Sequence, residues 1–211
     1  MSNSKRLGHD DESGFEFSQE MLSGDVTCAI NFDRLQKHPT QGYIIFEYLL
    51  CEEKQYVTPY SSHPSRYWGK NSNKFLALWR AALEFNATLY LVNYAKQGTK
   101  YEDEVLLIRV LDMDEYGINS EEKTKFTRET FKKWFRNLNK ECLTDKNDIL
   151  KDIYKFKSVD ELGKVKIKKG KYAGSSIKSI YESDIDYLYW LSKQEFPCSE
   201  CSRIFIDKVT H

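Results

Sequence analysis

The chain has 211 residues, of which 40% are hydrophobic and 14% aromatic, and this is enough apolar material to exclude a globally disordered protein. Its 32 lysines and arginines balance its 32 aspartates and glutamates, so a charged ligand must be recognised by a local patch. The longest apolar runs, such as "YIIFEYLL", are too short to span a bilayer, and five cysteines without an export signal favour a reduced, cytoplasmic protein.

Composition divides the chain into four parts. Residues 1–14 are polar and predict a flexible tail, and residues 15–144 carry the alternating strand and helix patterns of an α/β domain. Residues 145–162 are charged and predict a linker or a short helix. Residues 163–211 form a lysine-rich module with a Gly-Lys-Tyr-x-Gly turn.

The predicted elements follow in chain order. "FEFSQEMLSG" predicts a first helix with Phe17, Met21 and Leu22 facing inward, and "VTCAINFDRL" and "GYIIFEYLLCE" predict two strands joined by the turn "KHPTQ". A helix over 73–85, the strands "TLYLVNY" and "EVLLIRVL", and an amphipathic helix over 127–142 come next. Both faces of "YIIFEYLL" are apolar, as in a central strand covered twice, so we expect a mixed sheet with helices on both faces.

The first strand pair opposes two acids. If "KHPTQ" is the turn, two residues face each other across the strands when their residue numbers add up to 80. Asp33 then lies opposite Glu47 on a largely apolar face. Opposed like charges destabilise a strand pair, and burial adds a desolvation cost. A divalent cation, a basic side chain or a shared proton would offset that cost. Alternatively, the register differs by one and an acid pairs with an arginine elsewhere.

The order helix, strand with Asp33, strand with Glu47, helix, strand resembles the core of the PD-(D/E)xK nuclease superfamily. The resemblance implies a restriction-endonuclease-like fold, Mg²⁺ held by Asp33 and Glu47, and hydrolysis of phosphodiester bonds.

The chain departs from that family where the catalytic lysine is expected. Leu49 stands two residues after Glu47, where the family usually has its lysine. Lys54 completes a literal Glu-x-Lys, and Lys70 and Lys74 are candidates for a lysine that has moved to the following helix or to the loop before it.

Two basic segments are candidates for phosphate contacts in the same domain. Four cations recur every four residues along the helix over 127–142, and such a row either tracks phosphates or is merely solvated: Arg128, Lys132, Arg136 and Lys140. The loop "HPSRYWGKNSNK" adds Arg66 and Lys70 beside aromatic residues, which either stack bases or form a packed lid.

The C-terminal stretch "KGKYAGSSIKSIYESDIDYLYWL" resembles the small module that follows the catalytic domain in exonuclease X–type proteins. The residues that carry this resemblance are Gly170, Lys171, Tyr172, Gly174, Ile177, Ile180, Asp186, Tyr187, Leu188, Trp190 and Leu191. The resemblance implies a small α+β module associated with nucleic acid. Lys168, Lys169, Lys171 and Tyr172 are its predicted nucleic-acid contacts.

The combined patterns predict a Mg²⁺-dependent nuclease, with DNA ahead of RNA as the ligand. The alternatives are a catalytically inactive relative that binds nucleic acid or a partner protein in a regulatory role, and an adaptor that binds a partner protein only. Cys198 and Cys201 lack a second Cys-x-x-Cys pair, so zinc is not expected. The acidic run of Asp112, Asp114 and Glu115 is typical of a solvated turn.

Overall fold

The computed structural model describes residues 13–25, 30–142, 146–196 and 198–211. The chain divides between residues 143 and 144 into an N-terminal and a C-terminal compact unit. Across those described ranges, no helix is both long and apolar enough to cross a membrane.

The N-terminal unit is an α/β unit built on one mixed sheet of five strands in the order β1-β2-β3-β4-β5. Its strands are β1 (Arg34–His38), β2 (Gly42–Leu50), β3 (Ala87–Tyr94), β4 (Glu104–Asp114) and β5 (Gly117–Thr127). Its helices are α1 (Ser13–Leu22), α2 (Trp68–Glu84) and α3 (Arg128–Glu141), and short 3-10 turns cover Glu53–Gln55 and Pro64–Tyr67. β2 and β3 run parallel, and the other neighbouring strands are antiparallel.

β2 lies inside the sheet because both of its faces are apolar. Ile45 packs in one core cluster with Leu78 of α2, whereas Phe46 packs in a second cluster with Leu138 of α3. The prediction of a central strand with helices on both faces of a mixed sheet is therefore confirmed. Thr127 caps α3, because its side chain accepts a hydrogen bond from the amide of Thr130.

Several predicted elements need correction. Phe17 and Met21 of α1 are 61% and 58% exposed, so they do not face inward. α1 begins at Ser13, inside the predicted tail, and residues 1–12 lie outside the described part of the chain. β1 covers Arg34–His38, residues 30–33 are not in a strand, and residues 26–29 of the predicted strand lie outside the described part of the chain. α2 begins earlier than predicted, at Trp68.

β5 was missed because its sequence, "GINSEEKTKFT", is almost entirely polar. It is the last strand in the sheet order, it pairs only with β4, and most of its side chains are exposed. Such a strand lacks the apolar alternation from which a half-buried strand is recognised.

The C-terminal unit is helical. Its helices are α4 (Lys146–Phe156), α5 (Val159–Gly163), α6 (Ile177–Ser183), α7 (Ile185–Ser192) and α8 (Ser199–Thr210). The predicted α+β module is wrong in its β part, since the described residues contain one isolated bridge there, Lys166 to Ser176. The region 145–162, predicted as a linker or a short helix, takes the helical alternative and forms α4 and α5. It is not a linker, because Leu162 of α5 is fully buried in this unit's core and Tyr154 of α4 packs against it.

The Gly-Lys-Tyr-x-Gly motif forms a tight turn at the end of a short hairpin-like loop. The amide of Ile167 donates to the carbonyl of Ser175 at 3.0 Å, and the amide of Gly174 donates to the carbonyl of Ile167 at 2.7 Å. Gly170 and Gly174 have φ angles of 93° and 89°. Side chains other than glycine rarely adopt this left-handed region, which explains both glycines of the motif.

Candidate active site

Asp33 and Glu47 meet where β1 begins. The register of β1 against β2 pairs Arg34 with Phe46 and Leu35 with Ile45, so the predicted sum of 80 is confirmed. One step further along this register, Asp33 lies opposite Glu47. The amide of Tyr48 donates to Oδ2 of Asp33 at 2.7 Å, and the amide of Asp33 donates to the Glu47 carboxylate.

Glu47 is buried, with only 2% of the residue exposed. The Nζ atom of Lys74, on α2, forms an ion pair with its Oε1 atom. A divalent cation, a basic side chain or a shared proton could offset the cost of burying this carboxylate. The structure contains the basic side chain. Burial still raises the pKa of Glu47; the hydrogen bond from Lys74 lowers it, and the negative charge of Asp33 raises it further.

The three candidate lysines have different positions. Lys74 reaches Glu47, and its side chain is 48% exposed, so the ammonium group lies between the buried carboxylate and solvent. Lys54 instead forms an ion pair with Glu52 at 2.7 Å, and its side chain is exposed. Lys70 is exposed on α2, one turn before Lys74, and no described carboxylate lies within 4.0 Å of it. The structure therefore brings Lys74, and neither Lys54 nor Lys70, to the two acids.

A divalent cation at this site would have two carboxylate ligands. In the described part of the chain, no group of three or more His, Cys, Asp or Glu side chains is arranged to hold a metal. Mg²⁺ often binds proteins through one or two carboxylates and completes its shell with water and substrate phosphates. Asp33 is exposed, and no described group donates to its Oδ1 atom, so this acid suits that mode of binding.

The acidic run of Asp112, Asp114 and Glu115 lies at the end of β4, where the chain turns into β5. The side-chain amide of Asn119 donates to Asp112 at 3.1 Å and to Asp114 at 2.9 Å, between β4 and β5. Hydrogen bonds to its carboxylate, first from Asn119, lower the pKa of Asp114. Asp112 and Asp114 therefore belong to a strand end, and of the three acids Glu115 alone lies in the predicted turn.

The basic row on α3 does not act as one surface. Arg128 donates from Nε to the carbonyl of Glu102 and from Nη2 to the carbonyl of Ala95, both at 2.6 Å, so it anchors loops of its own unit. Lys132 lies 4.0 Å from Glu129. The predicted row is therefore wrong at Arg128, which faces protein carbonyls.

Arg136 and Lys140 instead line an open groove of about 760 Å³, together with Arg34, Lys133, Phe135, Asn137 and Asn139. The guanidinium of Arg34 lies 5.0 Å from the centre of the Phe135 ring and donates to the side chains of Gln36 and Asn139. Among the described residues, no carboxylate lines the groove. Sequence analysis missed Arg34, although strand alternation places it on the opposite face from its neighbour Asp33.

The loop before α2 is a packed lid. Trp68 stacks on Phe75 with 5.7 Å between ring centres, and its indole N–H donates to the carbonyl of Glu115 at 3.0 Å. The buried Asn93 holds the same loop by donating to the carbonyls of Pro59 at 3.2 Å and Ser62 at 2.7 Å. Trp68 is therefore unavailable for base stacking, whereas Arg66 remains exposed.

The lysine-rich turn of the C-terminal unit contains both paired and unpaired cations. Lys171 forms an ion pair with Asp184 at 2.8 Å, and the hydroxyl of Tyr172 donates to the same carboxylate at 2.7 Å. Lys168 and Lys169 are exposed, and no described carboxylate lies within 4.0 Å of either. Lys171 and Tyr172 thus secure the turn, and Lys168 and Lys169 are its unpaired cations among the described residues.

Comparison with known proteins adds no relative. No protein-family model matches this chain, and no curated protein or solved structure gives a significant match. Its function must therefore be inferred from its side chains and their geometry.

Proposed function

We propose that this protein is a divalent-metal-dependent nuclease with a restriction-endonuclease-like N-terminal unit. One observation carries the proposal. Lys74, on the helix between the two parallel strands, reaches the buried Glu47 at the point where Asp33 lies opposite. Two acids and a lysine gathered in this way supply the side chains that the PD-(D/E)xK resemblance requires, although the lysine stands at a different position in the sequence.

Each side chain has a distinct role in the proposed reaction. Asp33 and Glu47 would hold Mg²⁺, which when bound activates water and stabilises negative charge on the scissile phosphate. The Lys74 ammonium has three N–H groups and uses one on Glu47, so the others remain to orient a water or a phosphate oxygen. The Asp33 amide and the Lys74 ammonium keep the Glu47 carboxylate oriented before substrate binds.

Two positively charged features support nucleic acid as the substrate class. No described carboxylate lines the groove around Arg34, Arg136 and Lys140, and Lys168 and Lys169 have no described counter-charge. Phosphate contacts by lysine and arginine supply most sequence-independent affinity for nucleic acid. A chain without net charge would rely on such local surfaces.

Glu47→Gln tests the proposal, with Glu84→Gln on the exposed side of α2 as the matched control. Purified protein is incubated with labelled single- and double-stranded DNA and RNA in Mg²⁺, Mn²⁺ or EDTA. We expect metal-dependent cleavage that Glu47→Gln reduces by about a hundredfold or more, because the variant loses a metal ligand. Binding measured in EDTA should remain. Unchanged cleavage by Glu47→Gln would contradict the assignment of Glu47 to the active site.

A second candidate is a regulatory protein that kept the fold and binds nucleic acid without cleaving it. The Glu47–Lys74 ion pair favours this alternative, because the lysine compensates the charge of the buried carboxylate without any metal ion. This candidate predicts salt-dependent binding that neither EDTA nor Mg²⁺ changes, and no cleavage of any substrate.

A further inference from the structure

A line of four aromatic rings crosses the surface of the C-terminal unit. The centre of the Tyr172 ring lies 4.8 Å from that of Tyr187, Tyr187 lies 5.4 Å from Trp190, and Trp190 lies 6.4 Å from Phe196. The two tyrosines are partly buried against the core. Trp190 and Phe196 are 49% and 53% exposed, so the outer half of the line faces solvent.

The inner end of the line meets the lysine-rich turn. The Nζ atom of Lys171 lies 4.8 Å from the centre of the Tyr172 ring and 5.8 Å from that of Tyr187. Lys168 and Lys169 belong to the same turn and have no described carboxylate within 4.0 Å. The lysine-rich turn therefore meets the line of rings at Tyr172 and Tyr187, and the exposed rings Trp190 and Phe196 continue the line from there.

This combination identifies the chemical class of the ligand. Exposed neighbouring aromatic rings leave apolar area in water and commonly mark a binding site. A partner that is purely apolar would not use the lysines, and a partner that is only anionic would not use the rings. A single-stranded nucleic acid uses both, because unpaired bases stack on aromatic side chains while the phosphates contact cations. The bases of a duplex are stacked on each other and cannot.

We propose that the C-terminal unit binds single-stranded nucleic acid by stacking bases on Trp190 and Phe196, with Lys168 and Lys169 at the phosphates. The inference deepens the proposed function, and rests on it only in requiring a nucleic-acid ligand. It assigns to the chain a preference for single strands that the Asp33–Glu47–Lys74 site does not determine.

The test measures fluorescence anisotropy of a labelled oligothymidylate and of a duplex of equal length, with the full chain in EDTA. Trp190→Ala should weaken single-strand binding by about tenfold or more, because stacking of one base contributes about 1–3 kcal/mol. Phe196→Ala should act in the same direction, and duplex binding should stay within about twofold. Trp190→Phe should restore much of the affinity, because a phenyl ring still stacks.

Tyr116→Ala is the matched control, since Tyr116 is 83% exposed and lies in the N-terminal unit. Equal losses for single strand and duplex, no loss for either ligand, or a wild-type protein that binds neither ligand would each overturn the inference. Circular dichroism melting of each variant shows whether a loss of binding reflects unfolding. If Trp190→Ala is unfolded, the affinity of Trp190→Phe for the single strand decides, because a folded Trp190→Phe variant that binds no better than Trp190→Ala would overturn the inference. A separate cleavage assay in Mg²⁺ distinguishes the two proposals, because selective binding without cleavage supports the stacking surface and rejects the nuclease.

Discussion

The Glu47–Lys74 pair of the N-terminal unit and the Asp184–Lys171 pair of the C-terminal unit join the same two kinds of side chain in different surroundings. Glu47 is almost fully buried, and its pKa is raised despite the lysine, because loss of hydration is the largest influence on it. Asp184 lies at the surface, and its hydrogen bonds to Lys171, Tyr172 and the amide of Tyr187 lower its pKa to about 2.

The difference shows that a lysine partner does not by itself decide how an acid behaves. Desolvation opposes the charged form of Glu47, so that carboxylate is held at a cost to folding. Asp184 keeps enough water to avoid this cost and gains a cap on α7 as well as the ion pair. An ion pair that lowers folding stability, such as Glu47–Lys74, is typical of a functional site. The Asp184–Lys171 pair instead holds a turn in place.

The largest effect should come from removing the lysine of the buried pair. Lys74→Met leaves Glu47 without its cation, so cleavage should fall by about a hundredfold, as for loss of other electrostatic contacts in active sites. The free energy of unfolding should fall by about 1–3 kcal/mol, below the cost typical of a fully buried pair because Lys74 is half exposed. Urea unfolding and the cleavage assay measure the two effects. Arg80→Met, an exposed cation on the same helix that pairs with Glu84, is the control and should change neither by much.

The pH dependence of stability tests the sign of the Glu47 shift. A raised pKa means that the folded protein binds more protons than the unfolded chain in the window that begins at the ordinary value of 4.5 and extends upward. Wild-type stability should therefore decline relative to Glu47→Gln as pH rises through that window. Thermal melting across this range measures the difference. A wild-type advantage that grows with pH would contradict the comparison.

The exposed pair should show the smallest effect and the opposite sign. Asp184→Asn keeps a side-chain oxygen for the α7 cap but loses the charge opposite Lys171, so the melting temperature should fall slightly at neutral pH. The wild-type advantage should be present above the ordinary pKa of 3.8 and should vanish as pH falls through about 2, where Asp184 is protonated. Asp186→Asn, an exposed substitution on the same helix, is the control. If the wild-type protein still melts at a higher temperature than Asp184→Asn at the lowest pH, the charge of Asp184 is not what stabilises the turn.

Local pattern was enough to predict most of the sheet and the opposition of Asp33 and Glu47. Strand alternation and the position of the turn determine which residues face each other, and both can be read from the residues of one hairpin. The apolar faces of "YIIFEYLL" likewise predicted its central place, because such a strand must be covered twice. The polar strand β5 was not predicted, because its sequence lacks apolar alternation. For 145–162 the charge of the segment left a linker and a short helix as alternatives, and only packing against the core of the C-terminal unit decided for helix.

Tertiary structure alone decided which charges are used. The sequence left Lys54, Lys70 and Lys74 as alternative candidates, and only the packing of α2 against β2 brings Lys74 to Glu47. Arg128 and Arg136 stand two turns apart on one helix, yet one meets the carbonyls of neighbouring loops and the other an open groove. A charge in a sequence has no partner until distant segments pack, because ion pairs and burial depend on distances that no local spacing sets.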